Sequence, residues 1–306
     1  MRGTTSFLWL EITGKCQLEC VHCYAESGPH GTHGAMRRDD WVRVLDQAAE
    51  LDVAMVQFIG GEPTLHPDLP VLVEHAVDRG LAVEVFSNLV HVPERLWTVF
   101  ARPGVRLACS YYSDDPHQHA AITRRSSHAR TRANIAEAVR RAIPLRVGVV
   151  DIEDQQRTDQ AVAELESLGV TETGFDRLRQ VGRGTRGHHA SADQLCGNCA
   201  SGVLAISPTG EVWPCVFARW LPVGNARTST LGDILTGQVL AQVRGELSAQ
   251  FGPLEMPCVP KMCDPQCGPS CGPACNPQGT YNPCRPRGGC RPNYSITVAS
   301  TNPSAW

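Results

Sequence analysis

Cys16, Cys20 and Cys23 stand in a Cys-x3-Cys-x2-Cys arrangement near the start of the chain, followed at once by Tyr24. Closely spaced thiolates of this kind hold iron–sulfur clusters or zinc. Three thiolates leave one iron of a four-iron cluster open, and an open coordination position is what catalysis needs. The competing arrangement is a zinc site completed by His22 or by a distant ligand; the spacing favours iron–sulfur and leaves zinc open. Further along lies Gly60-Gly61-Glu62-Pro63. Two glycines let a ligand approach the backbone, and Glu62 can pair with a cation. Taken alone, the same four residues also suit a plain strand-to-helix turn.

These groups need elements to hold them. Apolar runs at Phe7–Ile12, Met55–Ile59, Leu81–Phe86, Val105–Cys109, Leu145–Val150 and Thr173–Asp176 read as strands. Helical patterns fall between them, near 39–51, 68–79, 93–101, 128–142 and 155–168. In the first, Trp41, Val44, Leu45, Ala48 and Leu51 recur at spacings of three and four behind Asp39-Asp40, which can cap the opening turn. Arg79-Gly80 ends the second helix, with Gly80 free to take the left-handed capping conformation. Strand-then-helix repetition predicts an α/β fold with a parallel sheet, either doubly wound or curled into a partial barrel. Reactive groups in such folds sit at the C-terminal ends of strands. The three cysteines follow the first strand and the Gly60–Pro63 group ends the second.

Together the two motifs resemble the radical S-adenosylmethionine (SAM) superfamily. The resemblance implies a partial (β/α)6 TIM-like barrel and a four-iron, four-sulfur cluster on Cys16, Cys20 and Cys23. It also implies SAM chelating the fourth iron, with Gly60, Gly61 and Glu62 at its amino group. One-electron cleavage of SAM would give a 5′-deoxyadenosyl radical that abstracts hydrogen from a substrate. Ser87-Asn88 resembles the family's contact to the SAM ribose, and Ser110 and Arg125 stand where relatives contact the SAM carboxylate. Cys109 reads as a small core residue.

The chain has 306 residues and fourteen cysteines, ten of them between 196 and 290. In a reducing compartment so many thiols point to metal rather than disulfides. The Gly/Arg/His-rich stretch around 181–186 reads as a linker. Beyond it, Val203–Ile206 and Glu211–Trp213 flank Ser207-Pro208-Thr209-Gly210, a hairpin signal, and Leu231–Arg244 reads as one helix. Cys196-x2-Cys199, Gly210 and Cys215 resemble the opening of the SPASM domain, an auxiliary-cluster module of radical SAM enzymes that modify peptides and proteins. Cys258, Cys263, Cys267, Cys271, Cys275, Cys284 and Cys290 follow at spacings that depart from the module's usual pattern. They lie in a proline-rich segment that cannot continue a helix or a central strand. The expected division is a barrel over 1–186, an auxiliary-cluster domain over 187–292 and a tail over 293–306. One catalytic and two auxiliary four-iron clusters are expected, with a zinc knot as the alternative for the second region.

The net charge of −3 gives no electrostatic ground for nucleic acid, and no apolar run is long enough to span a bilayer. The chain lacks the layout of a signal peptide, which predicts a cytoplasmic enzyme. The resemblance implies maturation of a ribosomally synthesised peptide by oxidation, cross-linking or a related change. It also implies a flavodoxin- or ferredoxin-type electron donor; since only a few residues precede the first strand, leader recognition is expected either to come from a separate leader-peptide-binding partner or not to be needed by the substrate. Arg177, Arg179, Arg183 and Arg186 read either as a site for an acidic leader or as a solvated face. The alternatives are a radical SAM dehydrogenase acting on a small molecule or protein side chain, and a non-catalytic iron–sulfur carrier or metal-binding scaffold.

Overall fold

A computed structural model describes residues 5–187, 189 and 191–251 of the chain. Six strands run parallel in chain order: β1 (Phe7–Thr13), β2 (Met55–Gly60), β3 (Ala82–Phe86), β4 (Val105–Tyr111), β5 (Leu145–Asp151) and β6 (Glu172–Arg177). The crossovers carry α1 (Arg38–Glu50), α2 (Leu69–Asp78), α3 (Glu94–Phe100), α4 (Pro116–Thr123), α5 (His128–Arg140) and α6 (Thr158–Ser167). Because each strand is laid beside the previous one in a single direction, right-handed crossovers put every helix on one face. The opposite face is then left to enclose an interior. This decides for the partial barrel over the doubly wound sheet.

The two faces of the strands differ accordingly. Leu8, Leu10, Val56, Phe58, Val83, Val85, Leu107 and Cys109 share one core with Trp41, Val44, Leu45 and Ala48 of α1. Their in-register neighbours on the other face, Trp9, Gln57, Glu84 and Arg106, run across four strands. There Glu84 is 1% exposed and receives Arg146 at 2.7 and 2.8 Å and Arg106 at 2.6 Å, with the Gln57 amide also bonded to it. Burial pushes the Glu84 carboxyl up, but the two guanidinium groups outweigh it and hold the carboxyl at about 2. An ionic layer thus closes the barrel beneath the strand ends.

The second region does not stand apart from the first. Strand β7 (Val203–Ile206) pairs parallel with β1, and β8 (Glu211–Trp213) and β9 (Gly224–Asn225) extend the same sheet antiparallel. The expected hairpin forms: the Ser207 hydroxyl accepts from Thr209 and Glu211 amides, and Gly210 takes φ +88°. The helix expected over Leu231–Arg244 is instead two, α7 (Leu231–Thr236) and α8 (Gln238–Phe251), because Gly237 adopts an extended conformation between them. Helix α4 has no counterpart in the sequence reading; its two faces differ little in polarity, so periodicity gave no signal. Asp40 does secure the start of α1, accepting the Arg37 amide at 2.9 Å, and Gly80 closes α2 at φ +82°. Among the described residues no helix is long and apolar enough to cross a membrane. Cys258 through Cys290 and the tail over 293–306 lie outside the described residues.

Candidate active site

The loop after β1 is held from three sides. The Cys16 amide donates to Gly28 O at 3.0 Å, and Glu19 and Val21 amides donate to Thr123 and Ile122 carbonyls at the end of α4. The third side is the stretch read as a linker, which is a packed turn over Gly182–Thr185. Arg183 donates from Nε to Cys20 O at 2.8 Å and from Nη2 to Ser27 O at 2.7 Å, and its amide bonds Cys23 O at 3.0 Å. Gly182 is required here: a Cβ would lie 2.3 Å from Tyr24 O. Replacing Arg183 by methionine removes two charge-assisted bonds, each worth about 1.5–3 kcal/mol. The expected result is a lower unfolding midpoint and less iron retained per chain, read by denaturant titration and iron assay on reconstituted protein.

The Gly60–Pro63 group docks on this loop. Gly61 N donates to Thr13 O at 2.6 Å and Glu62 N to Lys15 O at 2.8 Å. The glycines serve that contact first, since a Cβ on either would stand 2.3 Å from a carbonyl oxygen, Thr13 O for Gly60 and Lys15 O for Gly61. Glu62 is 1% exposed. Its Oε1 accepts from the Thr64 amide, Thr64 hydroxyl and Ser87 hydroxyl, and its Oε2 from the Asn88 amide. Burial raises its pKa, opposed by these four donors. Glu62 and Ser87 are therefore tied to each other beneath the site. Asn88 stands further forward: its Nδ2 donates to Cys16 Sγ at 3.6 Å, and its Oδ1 accepts from Gln17 at 3.1 Å.

A cavity opens at the C-terminal ends of the strands. Cys16, Cys20, Cys23, Gly60, Gly61, Asn88 and Ser110 all border it. Its floor is one interior layer: Ile59, Phe86, Ser110, Val150 and Asp176, one residue from each of β2 to β6. Arg125 is not among the lining residues; it is half exposed and paired with Glu19 at 2.9 Å. The structure thus puts Arg125 on the surface beside the cysteine loop, because the turn after α4 directs it to Glu19 rather than inward. Tyr112, Asp176 and Phe217 also line the cavity and were not singled out as site residues from the sequence; Arg177 and Arg179, read there as either a leader site or a solvated face, line it too. Asp176 carried a usable signal, its place at the C-terminal end of a strand; Phe217 carried none, since only β7–β8 pairing with β1 brings it there.

The donor set fits a cluster. Burial pushes the Cys16 thiol up to about 12 and raises that of Cys20 further, so both thiolates need a cationic partner. Cys16 Sγ accepts from the Leu18 amide and Asn88, N–H···S bonds of the kind that would tune the potential of a cluster held there. His22 packs edge-on to Tyr112 at 5.0 Å, and burial lowers its pKa to about 3. Among the described residues no three His, Cys, Asp or Glu groups are drawn together to chelate a single ion. A second group of thiols gathers in the other region, with Cys199 and Cys215 sulfurs 3.0 Å apart. Cys196 is brought down to about 6, chiefly by its hydrogen bond with Cys199, against burial and with help from Arg179.

Known proteins share the sequence pattern and the fold. The radical SAM superfamily description matches residues 10–163, and that of SPASM, an iron–sulfur cluster-binding domain, matches 196–276. The PqqA peptide cyclase of Streptomyces rochei is 28% identical over 276 residues, covering 76% of each chain. That of Granulibacter bethesdensis is 23% identical over 277 residues, 75% of this chain and 73% of the relative. Streptococcus suis SuiB bound to precursor peptide SuiA superposes with TM-score 0.68 at 15% identity, over 79% of this chain and 67% of SuiB. The chain belongs to the radical SAM superfamily as an enzyme with a C-terminal SPASM region, and that membership implies SAM and iron–sulfur cofactors.

Proposed function

We propose that this enzyme cleaves SAM at Cys16, Cys20 and Cys23 to abstract hydrogen from a ribosomally synthesised peptide, which it oxidises, cross-links or otherwise matures. The carrying observation is that the three thiols, the Gly60–Gly61 backbone and Asn88 all open on one cavity. Cys16, Cys20 and Cys23 would hold a four-iron cluster there, and that group would supply the one electron needed for reductive cleavage of SAM. The chain's own residues bind and enclose. Gly60, Gly61 and Asn88 present backbone and amide groups to the SAM polar end, with Ser110 beside them. Glu62 and Ser87 hold the Gly60–Pro63 loop to β3 from below rather than reaching the cavity. Tyr112, Phe86 and Phe217 supply apolar wall that keeps water from a reactive carbon.

A peptide as substrate is supported by the relatives, named for peptide cyclisation or crystallised with a precursor peptide. Two auxiliary clusters on the C-terminal cysteines, and a reduced flavodoxin or ferredoxin as donor, complete the assignment. Anaerobic incubation with SAM, a reductant and candidate precursor peptides tests it by mass spectrometry. Product 5′-deoxyadenosine together with a mass change on a peptide is expected. Cys20→Ala should yield neither. Well-reconstituted protein that makes no 5′-deoxyadenosine would overturn the catalytic reading, and turnover on small molecules but no peptide would overturn the substrate class.

A further inference from the structure

Strand β6 ends in a charged pair with no part in binding SAM as described above. Asp176, in register with Val150, lines the cavity and is 2% exposed. Arg179, 8% exposed, faces it with Nη2 3.7 Å from Oδ1. The same guanidinium reaches Gln194 O at 3.4 Å through Nη1 and lies 5.5 Å from the centre of the Phe217 ring. Gln194 and Phe217 each stand two residues from a thiol of the second group, Cys196 and Cys215. One buried cation therefore touches the cavity wall on one side and both cysteine-bearing segments on the other. Buried charges act on each other far more strongly than surface ones, since little water screens them.

We propose that Arg179 is a positioning residue that, with Asp176, couples the substrate cavity electrostatically to the cluster site at Cys196, Cys199 and Cys215. The proposal rests on the reading that these thiols hold a cluster. The guanidinium favours the extra negative charge that the site gains on one-electron reduction. Asp176 offsets part of that effect. A substrate bearing a cationic or N–H donor group beside Asp176 draws the carboxylate away from Arg179 and eases that reduction. Linkage makes the effect reciprocal: the redox state of the second site alters the affinity of the cavity for such a group.

The test uses the full chain, reconstituted anaerobically, with Cys16, Cys20 and Cys23 all replaced by alanine so that only the C-terminal clusters remain. Dithionite titration followed by electron paramagnetic resonance reads their midpoints. Arg179→Gln should shift at least one midpoint to more negative potential, and Asp176→Asn should shift the same signal positive, while Arg179→Lys stays near the parent. Shifts of opposite sign are the signature, because loss of packing alone moves both variants the same way. Should Arg179→Gln lose its iron, the positive shift of Asp176→Asn decides. An unmoved signal in Asp176→Asn, or equal shifts in both, overturns the coupling. No iron in this background overturns it together with the auxiliary-cluster assignment, whereas failure of the intact enzyme to cleave SAM counts against the proposed function alone.

Discussion

Gly61→Ala should lose roughly 100-fold of 5′-deoxyadenosine formation while keeping all three thiols, the scale expected when reacting groups are displaced by about 1 Å. The new Cβ would lie 2.3 Å from Lys15 O and 2.6 Å from Lys15 C. Both are backbone atoms, so no side chain can rotate out of the way. Lys15 immediately precedes Cys16, and the Glu62 amide bonds the same Lys15 carbonyl. Relief of the clash must therefore push the cysteine loop away from the end of β2, where the proposed SAM contacts lie. Overpacking of this kind costs about 1–3 kcal/mol, which leaves a chain that still folds. The checks are product formation per iron and the urea midpoint. Gly245→Ala makes a control: it sits in α8 with open space around it and should gain up to about 1 kcal/mol. Unchanged cleavage in Gly61→Ala would remove the close loop-on-loop contact from the account of the site.

Glu84→Gln should destabilise the enzyme by about 3–5 kcal/mol, the usual cost of removing one partner from a buried ion pair. Arg146 is 3% exposed and keeps its charge, and Arg106 loses the same carboxylate. The carboxyl is held at about 2, below its unfolded value. Its contribution is thus fully present above the ordinary carboxylate range and is lost only as pH falls toward 2. The wild type should show this loss only in that acid range, and Glu84→Gln should lack it. Denaturant unfolding of Glu84→Gln, Arg146→Met and the double variant gives the coupling between the two residues. A double variant more stable than Glu84→Gln alone is expected, because it no longer buries that arginine uncompensated. A single-variant loss below 1 kcal/mol would show that water reaches the pair.

Much of the site was legible before any coordinates. Thiol spacing is a local property, so the grouping of Cys16, Cys20 and Cys23 in one loop is visible in the sequence, and the structure brings all three to the cavity. Strand periodicity placed that loop and Gly60–Pro63 at adjacent strand ends, and parallel register brings them together as expected. Glycine's role was read only in part. The sequence suggested room for a ligand, whereas the structure shows room for Thr13 and Lys15 carbonyls. The place of Arg125 was not legible for a related reason: a surface arginine in a loop has no periodicity to fix its direction, and the structure pairs it with Glu19.

What the sequence determined by itself was the set of reactive groups: three thiols in one loop, a glycine turn to meet them, and a second cysteine-bearing region. Those follow from residues near in the chain, where spacing alone limits geometry. Tertiary structure decided which side chains share the cavity and which hold it shut. Arg183 reaches back from the supposed linker to Cys20 O, 163 residues away, and β7 adds itself beside β1 to bring Phe217 to the opening. Such contacts depend on long-range pairing and on the volume left by packing, neither of which is written in local spacing. The three cysteines share one loop by spacing alone; the folded walls around Asp176, Arg179 and Phe217 shape the cavity they open on.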